Sequence, residues 1–171
     1  MARLPRTRID KEPAHFARSA IPIVSTMIGS LAPIAPFVFL APVVPPFGLM
    51  MLLAWRALHR TLWPTWMALP LGFFDDLFSG APMGSAMLLW TLAFLVYELF
   101  DRRMVWRDYW QEWGIAVFLI CAVILGQLWI ANRSGGATDV FVMIPQAVFS
   151  ALLFPLMTRI CCALDNWSLT L

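Results

Sequence analysis

The residues best placed to do chemistry in this chain are two adjacent acids, Asp75 and Asp76. They sit in the stretch Gly72-Phe73-Phe74-Asp75-Asp76-Leu77-Phe78-Ser79-Gly80-Ala81-Pro82-Met83-Gly84. Paired carboxylates support acid–base chemistry when both address one reacting group. Consecutive positions on a helix point about 100° apart, so these two are not arranged as a proton-sharing dyad. A carboxylate at the centre of a bilayer costs at least about 2.5 kcal/mol, and less near an interface, so both acids need a reason to be here. Two readings stay open. One acid can staple a helical hairpin by facing the unpaired N–H groups and positive dipole end of the helix that follows. Alternatively the pair forms an outward acidic site that meets a partner or a cation.

No other constellation suggests catalysis. The histidines are His15 and His59, and the chain has neither an H-E-x-x-H helix nor a G-x-S-x-G turn. Cys121, Cys161 and Cys162 form no C-x-x-C or Cys/His spacing and read as small apolar side chains. No metal or cofactor is expected, and the chain is read as a non-enzyme with no nucleic-acid partner. Polar groups within the apolar runs are few: Arg56, Glu98, Gln127 and Gln146. A transporter would gather such groups around a cavity near the membrane midplane. The alternative function is therefore the substrate-binding subunit of a small-solute, vitamin-type transporter. Gln146 beside Pro145 is its best candidate, although a buried amide also serves to tie two helices together.

These residues must be positioned by membrane helices. The chain is 61% hydrophobic and 13% charged, against about 45–50% and 25% for soluble domains. A water-soluble fold of this size could not hide so much apolar surface. Runs long enough to cross a bilayer fall near 20–41, 43–59, 62–78, 82–100, 113–131 and 140–163. The third is short and carries Pro64 and Pro70, but charge placement supports it. With six spans and a cytoplasmic N-terminus, every basic residue except Arg133 lies inside; removing the third span would move four outside. The expectation is an all-α, polytopic bundle of about six transmembrane helices (20–164). Residues 1–19 form a basic cytoplasmic tail able to lie on anionic lipid, and 165–171 a second cytoplasmic tail.

Spans one and two are rich in proline: Pro22, Pro33 and Pro36, then Pro42, Pro45 and Pro46 around the turn between them. Each proline within a span frees a carbonyl that a neighbouring helix or water must satisfy. Ser25 with Gly29, and Ala122 with Gly126, are small residues four apart that let helices approach closely. The Ser25–Gly29 face serves either packing within the bundle or docking of a partner helix.

Gly72, Asp76-Leu77, Ser79-Gly80, Pro82 and Gly84 resemble the G-x-x-x-D-L-x-S-G-x-P-x-G signature of the MreD family of bacterial rod-shape-determining membrane proteins. Chain length, the six-span pattern, the Pro46-to-Trp55 second span and the last span with Pro145, Pro155 and Arg159 match in kind. Where many relatives carry an Arg just before the proline opening span two, this chain has Pro45, so no role of that Arg transfers. The resemblance implies a helical fold similar to the substrate-binding subunits of energy-coupling-factor transporters. It implies a non-catalytic, multi-pass scaffold of the cell inner membrane that associates with MreC. Through MreC it would belong to the elongation machinery of MreB, RodA and its transpeptidase, which maintains rod shape by lateral peptidoglycan synthesis. Asp76 is the acid that falls on the signature position. From the residues alone, Gly80 is expected to close one helix in the left-handed conformation, and Pro82 to occupy the first turn of the next.

Overall fold

The structure is a computed structural model that describes residues 12–32, 44–59, 63–103, 108–135 and 139–168. Residues 1–11, 33–43 and 169–171 lie outside the described residues. They include most of the expected basic tail, the far part of the first span and Pro42. Among the described residues there are six α-helices and no strand: α1 (Glu12–Leu31), α2 (Phe47–Leu58), α3 (Ala68–Ser79), α4 (Ser85–Arg103), α5 (Tyr109–Arg133) and α6 (Ile144–Ser168). Single turns of 3-10 helix, Thr65–Met67 and Val140–Met143, lead into α3 and α6.

Helix boundaries depart from the hydropathy reading most at four helices. α1 starts at Glu12, eight residues ahead of the expected span, and α6 runs on to Ser168 through residues assigned to a tail. α2 and α3, each expected as a 17-residue span, are only 12 residues long, or about 18 Å at 1.5 Å per residue. The cause at α2 is local. A residue that precedes a proline is disfavoured in the helical region, and Pro46 itself has ψ 78°, so regular helix begins only at Phe47. Two helices, Tyr109–Arg133 and Ile144–Trp167, are by themselves long and apolar enough to cross a membrane.

α2 is the axis of the bundle. Apart from Arg56 in its last turn it is apolar on every side, the pattern of an enclosed helix, and Leu49, Met50, Leu52, Leu53 and Ala54 have no exposed surface. α1, α5 and α6 pack against it, and α3 pairs closely with α4. Successive helices alternate in direction, which gives the bundle two distinct ends. The turn around Gly80, the start of α2, the last turns of α5 and the start of α6 share the first, the hairpin end. At the second, the charged end, Arg56 faces Asp101 at 3.9 Å and His59 faces Asp165 at 3.0 Å. Here too Glu98 accepts from the Thr65 hydroxyl and pairs with Arg102 at 2.6 Å.

The outside of the bundle is apolar between these ends. Leu88, Leu92, Leu95 and Leu99 run down the free face of α4, and Phe118 and Leu125 down that of α5. Val148, Phe149, Leu152 and Leu156 do the same on α6, all about half exposed or more. The exposed Trp and Tyr side chains lie toward the two ends. Trp66, Tyr109, Trp110 and Trp167 lie toward the charged end, and Trp129 and Phe141 toward the hairpin end.

Candidate functional site: the hairpin end of the bundle

The signature residues build a compact helix–turn–helix. α3 ends at Ser79, and Gly80 follows with φ 67° and ψ 7°, a left-handed cap that glycine adopts without a side-chain clash. The Ser79 hydroxyl accepts the Ala81 N–H at 3.4 Å. Pro82 is not in the first turn of α4, as its type had suggested; it stands three residues ahead of the helix. Its carbonyl accepts the Ser85 N–H at 3.0 Å. Gly84, with φ 91°, is the second left-handed residue of the turn.

Asp76 closes this turn from below. Its side chain is buried, with the residue 3% exposed. Oδ2 accepts the N–H groups of Gly84 and Met87, both at 3.0 Å. Oδ1 accepts the Ala86 N–H at 2.8 Å and the Ser85 hydroxyl at 3.1 Å. A helix start normally leaves its first amides without partners. Here one carboxylate from the preceding helix satisfies two of them, while its charge lies at the positive end of the α4 dipole. The arrangement depends on Gly72, one turn earlier on the same face of α3. A Cβ there would lie 2.7 Å from Met87 Cα and 2.9 Å from Ala86 O. Without that close approach the Asp76 side chain would not reach the α4 amides.

Asp75 points elsewhere. It lines a cavity of about 350 Å³ at the hairpin end, walled by the last turn of α1, the Val44–Gly48 entry to α2, the end of α3, α5 and α6. Gln127 and Gln146, far apart in sequence, meet here. The Gln146 amide donates to the Val44 carbonyl at 2.8 Å, tying α6 to the non-helical entry of α2. Irregular backbone of this kind is tolerated at membrane depth where it lines a cavity or is covered by protein.

The Ser25–Gly29 face of α1 is occupied within the chain. The Ser25 hydroxyl accepts the Trp55 indole N–H at 2.8 Å and donates to the Pro22 carbonyl at 3.0 Å. A Cβ on Gly29 would lie 3.2 Å from the backbone of Phe47 and Gly48. Both residues face α2, so this face has no room for a partner helix. Gly126 similarly admits Leu89 of α4.

Two polar contacts were not foreseeable from spacing. The buried Arg56 guanidinium lies over the Phe94 ring at 5.6 Å as it approaches Asp101. Pro155 lacks the N–H that would bond the Ala151 carbonyl, and the Trp113 indole of α5 donates to that carbonyl at 3.1 Å. Proline signalled that a carbonyl would be freed; the sequence could not say which helix would supply the donor. Among the described residues no three His, Cys, Asp or Glu side chains gather as metal ligands. In comparisons with protein-family models, curated proteins and solved structures, nothing matches this chain.

Proposed function

We propose that this chain is a non-catalytic, multi-pass scaffold of the bacterial inner membrane, of the MreD type, which works through association with MreC in the elongation machinery. All six helices cross the bilayer in this reading, with both termini cytoplasmic. Its support is physical as well as by resemblance. Trp110 and Trp129 sit 19 residues apart on α5, about 28 Å of helix, close to the roughly 30 Å hydrocarbon thickness. Aromatic side chains concentrate at the two interfaces of a bilayer. Exposed leucine and phenylalanine between them suit lipid and would be a liability in water. Arg56, Arg102, Arg103 and Arg159 all fall toward the charged end, which this reading makes cytoplasmic.

The observation that best supports this reading is the Gly72–Gly84 hairpin. Gly72, Asp76, Gly80, Pro82 and Gly84 each make a specific contact or backbone turn in it, so the motif acts as a unit and not as a chance composition. MreC, MreB, RodA and the transpeptidase are partners by resemblance. Because the Ser25–Gly29 face is filled by α2, the MreC contact belongs on another surface. Single-cysteine crosslinking along the exposed faces of α1, α4 and α6 would locate it. The test of the function is affinity purification of the full chain from membranes, with depletion and rescue. Co-purifying MreC and rounded cells on depletion are expected. A solute-uptake defect with normal cell shape would favour the vitamin-type transporter subunit instead.

A further inference from the structure

The geometry points to the cavity at the hairpin end as a binding site for a small organic ammonium ion. At about 350 Å³ it falls in the range of ligand pockets, roughly 300–1,000 Å³. Among the described residues lining it, Asp75 is the one charged side chain, and none is Lys, Arg or His. The adjacent Asp76 has its carboxylate satisfied by four donors from the α4 start. Asp75, half-buried, is therefore the acid that faces the cavity, and a carboxylate partly withdrawn from water favours a cation or further donors. A second group points the same way. Ser30 lines the cavity, is 3% exposed, and its hydroxyl is set toward the Asp75 carboxylate. It stands beside Asp75 across the space between α1 and α3.

The remaining walls decide the kind of cation. Gln127 and Gln146 add amide oxygens able to accept N–H donors, while Ile124 and Met143 supply apolar surface. Carboxylate, hydroxyl and amide oxygens on one side with aliphatic side chains on the other suit a protonated amine carrying an apolar body. The space is larger than a bare ion needs. This inference is separate from the scaffold reading, since it concerns what fills the bundle and not what binds its outside.

The test uses the full chain in lipid nanodiscs and radiolabelled phenethylammonium in equilibrium dialysis. Saturable binding at one site per chain is expected. Asp75→Asn should weaken it at least tenfold, Ser30→Ala several-fold, and Asp108→Asn at the far end not at all. Thermal unfolding checks that each variant is folded. In a second measurement, Ala131→Cys is introduced into a chain whose three native cysteines are replaced by alanine. Thiol labelling at that position should slow when phenethylammonium is present. The proposal is overturned by any of four results: no saturable binding, equal displacement by the neutral 2-phenylethanol, displacement by sodium but not potassium chloride, or unchanged affinity in a folded Asp75→Asn chain. These outcomes are read on purified protein, so they are independent of whether cells lose their shape.

Discussion

The Trp113 indole N–H donates to the Ala151 carbonyl at 3.1 Å, the carbonyl that Pro155 leaves without its helical partner. The break in α6 is thus repaired by α5, and the two longest helices are joined at the point where one of them is weakest. Helix association in lipid depends on packing and on hydrogen bonds of this sort, since the hydrophobic effect does not distinguish helix from lipid tail. Trp113→Phe keeps most of the ring and removes the donor, and should cost about 1 kcal/mol. In a Pro155→Ala background α6 regains its own N–H, so the same change should cost much less. A double-mutant cycle read by unfolding in detergent or lipid measures that difference. Additive effects would mean that the indole does not act through the freed carbonyl.

Asp76 and Asp75 should separate cleanly on stability. Asp76→Ala removes the acceptor for the Gly84, Ala86 and Met87 amides together, and each unsatisfied buried donor costs roughly 1–3 kcal/mol. A loss of at least about 2 kcal/mol and a fall in membrane abundance are expected. Asp76→Asn should rescue little, because its NH2 group would face the same donors. Asp75→Ala, which unpairs no helix start, should leave abundance near wild type. Quantitative immunoblotting of membranes with thermal unfolding of the purified chains distinguishes the two.

Close approach makes two glycines intolerant and leaves a third free. Gly72→Ala sets a methyl 2.7 Å from the α4 backbone and should cost about 1–3 kcal/mol as overpacking. Gly29→Leu should disturb the α1–α2 contact, not a partner's docking. Gly114→Ala, with open space at its Cβ and a helical position, should be neutral or stabilising by up to about 1 kcal/mol. Melting temperatures of the three variants provide the comparison, and a tolerant Gly72→Ala would place α3 and α4 further apart than they stand here.

Topology can be read with a reporter that is active only outside the cytoplasm. Fusions after Gly80 or Gly135 should be active, and fusions after His59, after Arg103 and at the C-terminus silent. Activity after Arg103 would mean that α3, at about 18 Å of regular helix, does not cross.

Much of the architecture was legible because hydropathy and charge are local properties. Six apolar runs became six helices, and the prolines at Pro45 and Pro155 marked where helical hydrogen bonding is interrupted. Helix lengths were less legible. Hydropathy continues through Pro45-Pro46 and through the 3-10 turn before α3, whereas the hydrogen bonding of a regular helix does not. Within the Gly72–Gly84 motif, the sequence offered a hairpin staple or an outward site as roles for the acids. Only the tertiary structure divided them, because a rotation of about 100° per residue turns Asp76 onto the α4 amides and Asp75 into the cavity. The same is true of Ser25 and Gly29, whose spacing is identical for internal and external packing; the position of α2 decided which. Contacts such as Trp113 with Ala151 and Gln146 with Val44 join residues 38 and 102 positions apart. Periodicity along one helix carries no information about the partner on another, so such pairs are set by how the helices cross and not by the order of residues within them.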